Sequence, residues 1–291
     1  MHCDKKRKNR YFFEKVLYNF SLLKYNTIIK QPHTGNRKEK RVMKKMIAIL
    51  LAVLLMVACL AGCGAKKEKF VVGITDYAPM DYKDENGEWT GFDAEFARLF
   101  AEELDMEIEF FVITDWGKKF VELDTGNIDC VWNGMTITEE ALLNSSVSDP
   151  YVVNAQVLVM KADRIADYAD AAALKDLTIA VENGSAGQDA AAAAGCEDLI
   201  LVQDQAAALL EVKAGTSDAC VIDITMANAM TGEGTDYAEL AAGIALTSEE
   251  YGVAFRKDSE LTAKFNAFMD ELIADGTLQA LADKYELTLA G

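Results

Sequence analysis

From Phe70 onward, short apolar runs alternate with longer stretches in which apolar residues recur every three or four positions. That alternation predicts strands from the runs and amphipathic helices from the spacing, an α/β architecture. Residues 70–74 form the first predicted strand, and a polar loop over 76–91 carries a turn signal at Asn86-Gly87. Asp93 stands where an N-cap belongs, ahead of Phe96, Leu99, Phe100 and Leu104 on one helical face. The pattern then predicts a strand over 108–113, a helix over 118–123 and a strand over 130–132. Further strands fall at 157–160, 177–181, 199–202 and 220–222, with Ala-rich helices between them. A strand over 251–255 leads into a long helix bearing Leu261, Phe265, Phe268 and Leu272, which Gly276 stops.

One spacing recurs. Glu122, Gly126 and Asp129 precede the strand Cys-Val-Trp, and Glu211, Gly215 and Asp218 precede Ala-Cys-Val-Ile at the same intervals. The two strands end at Asn133 and Asp223. Ligands of open α/β sheets bind beyond the carboxyl ends of strands, so the repeat predicts two like-built lobes with polar groups facing across a cleft.

The segment before Phe70 has a different character. Met43 is followed by Lys44 and Lys45, the apolar run 46–60 and then Ala61-Gly62-Cys63, the layout of an export signal over 43–62. The run is shorter than the roughly 20 residues a spanning helix requires. Leu60-Ala61-Gly62-Cys63 also matches a bacterial lipobox, which makes Cys63 the expected lipidation site and residues 63–69 a tether on the outer face of the cell membrane. Residues 1–42, with 12 Lys and Arg against 3 acids, precede a complete signal and read as a start assigned too early or as a basic tail.

Charge and composition remove whole classes of function. From Cys63 on, 15 Lys and Arg face 44 Asp and Glu, a net charge of −29. Such a surface repels phosphate backbones and excludes nucleic acid as a partner. Both histidines, His2 and His33, precede the signal, so Ser-His-Asp and Cys-His nucleophiles are excluded and no metal or other cofactor is expected. Cys130, Cys196 and Cys220 show no metal spacing; Cys130 and Cys220 lie in apolar strand patterns as small buried residues.

An ordered set of short motifs then carries a resemblance. Asp76-Tyr77-Ala78-Pro79, Gly91-Phe92-Asp93, Gly126-Asn127-Ile128-Asp129, Asn133-Gly134-Met135-Thr136-Ile137-Thr138-Glu139 and Ser148-Asp149-Pro150-Tyr151 come first. Gly184-Ser185, the Asp218 to Asp223 spacing, Tyr251-Gly252-Val253-Ala254 and Asp275-Gly276 follow in order. The chain resembles the extracytoplasmic solute-binding proteins (family 3 type) of polar amino-acid ABC transporters. The resemblance implies a type II periplasmic-binding-protein-like fold, with lobe 1 over 70–152 and 252–291, lobe 2 over 153–251, and two crossing strands near 152–156 and 248–252. It implies hinge closure on an amino acid or similar amine-bearing solute, delivery to a membrane permease, and a monomer that performs no catalysis. Asp76 falls in the first of these motifs; Tyr77 and Trp116 would form aromatic walls, with Trp132 in the core. Asn133, Gly134 and Thr136 would hydrogen-bond the ligand from the first lobe, Ser185 would donate to a carboxylate from the second, and Asp223 would meet the α-ammonium group.

The chain departs from the family at one position. Three residues past Thr138 the family carries an Arg for the ligand's α-carboxylate, and here that position is Ala141. Two expectations follow: helix N-termini at Thr138 and 185–187, aided by Lys118, hold the carboxylate, or the ligand lacks a free one there. Other readings of the same scaffold are a ligand-sensing module for a receptor and a dehydratase using Asp76, Asp223 and Glu140.

Overall fold

The computed structural model describes residues 67–291. The basic segment 1–42, the expected signal 43–62 and the expected lipidation site Cys63 lie outside the described residues. Among the described residues, no helix is long and apolar enough to cross a membrane.

Two five-stranded sheets organise the chain. The first takes β1 (Lys69–Ile74), β4 (Glu107–Val112), β5 (Cys130–Val131), β6 (Ser146–Val147) and β14 (Ala254–Phe255), in the order β4-β1-β5-β14-β6. Its β4, β1 and β5 run parallel, and β14 joins antiparallel to β5 and β6. The second takes β8 (Gln156–Lys161), β9 (Thr178–Glu182), β10 (Asp198–Val202), β11 (Ala219–Asp223) and β12 (Leu240–Ala245), in the order β10-β9-β11-β8-β12. Between the sheets run β7 (Val152–Asn154) and β13 (Glu249–Tyr251), paired antiparallel with Val152 opposite Tyr251. The chain thus leaves the first sheet through β7, builds the second, and returns through β13. This is the two-lobed α/β arrangement.

Hydrophobic burial explains why the elements stay where the periodicity puts them. Helix α1 (Phe92–Glu103) turns Phe96 and Phe100 onto β1, where they meet Trp132, Phe255 and Phe265, all fully buried. Trp132 and Phe265 lie with ring centroids 4.9 Å apart, and Phe96 and Trp132 5.0 Å apart, both edge to face as the ring quadrupoles favour. Phe265 comes from the long helix α7 (Glu260–Ala274), so the last part of the chain seals the first sheet. In the second lobe Leu158, Ile179, Val181 and Val221 pack beneath α4 (Ala186–Ala193), and Cys196 closes the same cluster. Cys130, Cys196 and Cys220 are buried thiols.

The sequence repeat has a structural counterpart. Asp129 accepts the Val71 N–H at 2.8 Å and pairs with Arg256 at 2.9 Å. Asp218 accepts the Thr178 N–H at 3.1 Å and pairs with Arg164 at 3.0 Å. Each aspartate pins the start of the neighbouring strand from the αβ turn.

Three sequence expectations need correction. Asp93 does not cap α1: Gly91 holds the cap position with no side-chain bond, and Asp93 is fully buried in the first turn. Gly91 has φ +117°, and a Cβ there would sit 2.2 Å from the Met80 carbonyl oxygen, so the backbone itself enters the helix. The loop over 76–91 contains a ribbon of β2 (Tyr82–Lys83) and β3 (Trp89–Thr90). The strand over 251–255 is two: Tyr251 ends β13 in the linker pair, and β14 begins at Ala254 in the first sheet.

Candidate functional site

The carboxyl ends of β5 and β11 open onto one narrow cavity of about 40 Å³ between the lobes. It gathers Asp76, Tyr77, Trp116, Asn133, Gly134, Thr136, Ser185 and Asp223, every residue the sequence singled out for ligand contact. Their neighbours now show what each is free to do.

On the first lobe, much of the polar equipment is already engaged. Asn133 accepts the Thr75 N–H at 3.0 Å and hydroxyl at 2.6 Å, and donates to Asp81 at 2.8 Å. The Gly134 N–H is held by Asp93 Oδ2 at 2.6 Å, and Tyr151 donates to the same oxygen at 2.9 Å. Burial pushes the Asp93 carboxyl up to about 7. Asn133, Gly134 and Asp93 therefore shape the loop, and the Asn133 side chain has little left for a ligand. Tyr77 hydrogen-bonds Thr225 across the cleft and Tyr251 at 2.5 Å. Thr136 donates to Glu249 on β13 at 2.8 Å, tying the loop to the linker.

Asp223 ends β11 and is 3% exposed. Its carboxylate receives the side-chain amides of Asn154, Gln156 (2.6 Å) and Gln205. Asn154 and Gln156 also donate to Glu249, each at 2.7 Å, so two amides bridge two acids beside the linker. Burial, reinforced by Glu249, raises the Asp223 carboxyl to about 6, while the three amides oppose the rise. The arrangement is an anionic pocket beside a linker strand, suited to an ammonium group.

The sequence pointed to Lys118 as an accessory base, and the structure corrects this. Lys118 is solvent-exposed and pairs with Asp115 at 2.9 Å. Lys119 is the cation at the cavity: it opens helix α2 (Lys119–Asp124), where Lys119, Phe120 and Leu123 share the buried face. Its Nζ donates to the Gly184 carbonyl at 3.0 Å, lies 3.9 Å from Glu140, and sits 5.1 Å from the Trp116 ring centroid. Burial lowers its basicity, and Glu140 partly restores it. The signal was present in the sequence as the i, i+4 relation of Lys119 to Leu123, but two adjacent lysines left the helical phase open.

Ser185 caps α4, its hydroxyl accepting the Gln188 N–H at 3.2 Å. Ala141 lies buried in the first turn of α3 (Glu139–Asn144), which Thr138 caps at 3.1 Å. Several further lining residues escaped the sequence reading, among them Glu182, at the carboxyl end of β9, and Gln205, at the start of α5 (Gln205–Ala214). The strand-end rule that selected Asp223 applies equally to Glu182.

A two-lobed α/β protein with a polar, aromatic-walled interlobe cavity is a solute-binding protein in architecture. The sequence model of bacterial extracellular solute-binding proteins, family 3, matches residues 70–288, and the chain belongs to that family. It is 31% identical over 234 residues to the arginine-binding extracellular protein ArtP of Bacillus subtilis, covering 77% of this chain and 89% of ArtP. Among solved structures, it superposes on the arginine-, lysine-, histidine-binding protein ArtJ of Geobacillus stearothermophilus with a TM-score of 0.69. That pair is 28% identical and covers 75% of this chain and 95% of ArtJ. It also matches the ancestral amino acid-binding protein AncCDT-1, a precursor of cyclohexadienyl dehydratase, with a TM-score of 0.68. Identity there is 32%, over 75% of this chain and 95% of that one.

Proposed function

We propose that this chain is the substrate-binding component of an ABC importer, capturing an amino acid between its lobes and delivering it to a membrane permease. The observation that carries the reading is the charge layout of the cavity. A buried carboxylate, Asp223, lies on one lobe, and a buried amine, Lys119, lies on the other. An α-amino acid presents the complementary pair. Asp223 takes the ammonium group, while Lys119 and the first turn of α4 behind Ser185 take the carboxylate. Lys119 thereby stands in for the base that Ala141 does not supply. Trp116 and Tyr77 flank the ligand's side chain, and Asp76, Gly134 and Thr136 complete the first-lobe wall.

Residues 70–152 with 252–291 act as one lobe and 153–251 as the other, with β7 and β13 as the hinge. A ligand touching both lobes favours the shut state by its differential contacts, which is what a permease reads. The protein works as a monomer tethered by a lipidated Cys63 on the outer face of the membrane. It binds and releases its ligand without chemistry, in keeping with the relatives named as binding proteins.

Calorimetry with an α-amino acid, its decarboxylated amine and its deaminated acid tests the reading. The intact amino acid is expected to bind at least a hundredfold tighter than either analogue. Equal binding of all three overturns it.

A further inference from the structure

Glu182 is 4% exposed, lines the cavity, and its Oε1 has no hydrogen-bond partner. A carboxylate removed from water without a partner is among the costlier features a fold can carry. The neighbouring donors do not relieve it. Lys119 gives its hydrogen bonds to backbone carbonyls and its ion pair to Glu140 at 3.9 Å. The Gln205 amide serves both Asp223 and Glu182 and still leaves Oε1 without a partner. Gln156 Oε1, another acceptor at the same cavity, is likewise buried and unpartnered.

Asp223 and Glu182 therefore differ in kind. Asp223 is furnished with three amide donors and meets a single ammonium group. Glu182 is a second acidic site from the next strand: its Oε1 has no hydrogen-bond partner, and the Lys119 charge offsets its burial only in part. The remaining lining charges deepen the imbalance: Asp76, Glu140 and Asp189 are acids, against Lys119 alone.

Resting on the reading of the cleft as an amino-acid site, we propose that Glu182 receives a second cationic group of the ligand, so that the cleft selects a dibasic amino acid. The side-chain ammonium or guanidinium supplies the N–H donors that Glu182 Oε1 and Gln156 Oε1 lack, and a charge-assisted hydrogen bond is the stronger kind. A neutral side chain of the same length leaves both acceptors buried and unpaired, and binding sites reject such ligands strongly.

The test uses two matched pairs, arginine with citrulline and lysine with norleucine, titrated by calorimetry into the wild-type protein and Glu182→Gln. Wild type is expected to bind the cationic member of each pair at least tenfold tighter, ~1.4 kcal/mol. Glu182→Gln is expected to lose at least tenfold for the cationic members, with the neutral members unchanged or tighter. Its unliganded melting temperature stays at or above that of wild type, because a buried carboxyl with an unpartnered oxygen is gone. The proposal is overturned if wild type binds citrulline and norleucine as tightly as their partners, or if the variant weakens both members alike. Either result leaves the amino-acid reading standing. Should neither these four nor other α-amino acids bind at all, that reading falls and the proposal with it. If Glu182→Gln does not fold, the wild-type pairs alone decide.

Discussion

Lys119 of the first lobe donates to the Gly184 carbonyl of the second at 3.0 Å, and its ammonium group is nearly buried. The same residue thus closes the cleft and brings a positive charge to it. Lys119→Met keeps the apolar stem and removes both roles. Charge-assisted bonds are worth roughly 1.5–3 kcal/mol, so the variant should bind an α-amino acid about ten- to a hundredfold more weakly. The α-carboxamide of the same ligand should lose much less, which calorimetry on the pair would resolve. Equal losses would make Lys119 a latch alone.

Gly184 itself is the second point of contact. Its φ is +73°, and a Cβ there would lie 2.5 Å from Gly117 Cα and 2.9 Å from Gly117 N. Two backbones meet across the cleft with no room for a methyl group. Gly184→Ala should cost about 1 kcal/mol in unliganded stability from the left-handed conformation. Ligand affinity should fall tenfold or more because the cleft stays ajar. Small-angle scattering should show a smaller contraction on ligand addition than in wild type.

The Asp223 carboxyl, raised to about 6, gives a pH dependence of defined sign. Unfolded, an aspartyl side chain loses its proton near pH 4. Between those values the native state binds more protons than the unfolded state, so unliganded stability falls as pH rises from about 4 to 6. The rise amounts to roughly 3 kcal/mol of differential stability. An ammonium ligand needs the carboxylate, so its affinity should climb over the same range and level off above about pH 7. Thermal melts and titrations from pH 4.5 to 8 would show both trends; Asp223→Asn should flatten the affinity trend and reduce the stability slope, leaving the part due to Asp93.

Asp93 supports the ligand loop from below. Removing its carboxylate in Asp93→Ala leaves the Gly134 N–H and the Tyr151 hydroxyl buried and unpaired. At roughly 1–3 kcal/mol for each of the two orphaned groups, urea denaturation should register a loss of about 2–6 kcal/mol. Affinity should fall too, since Gly134 lines the cavity.

Much of this could be read from the residues. Helix α1 was visible because Phe96 and Phe100 recur at helical spacing, and the turns at Asp129 and Asp218 because their spacing repeats. Asp93 misled because an acid before an apolar helix is usually a cap, and only the close approach of Gly91 to Met80 turns it inward. The strand over 251–255 looked continuous since sequence pattern carries no signal for a chain that changes sheets. Lys118 and Lys119 are chemically identical neighbours, and a one-residue shift in helical phase decides which faces the cleft.

What the sequence by itself determined is the alternation of strand and helix, the family pattern, the strand ends that carry polar groups, and the loss of a base at Ala141. These depend on local periodicity and on residue identity, which are written along the chain. What only the tertiary structure decided is which polar groups remain available. Asn133 and the Gly134 N–H are engaged by Thr75, Asp81 and Asp93, while Lys119 and Glu182 enter the cavity. Hydrogen-bond satisfaction is settled by neighbours far apart in sequence, and a buried group has a function to offer only once those neighbours have been counted.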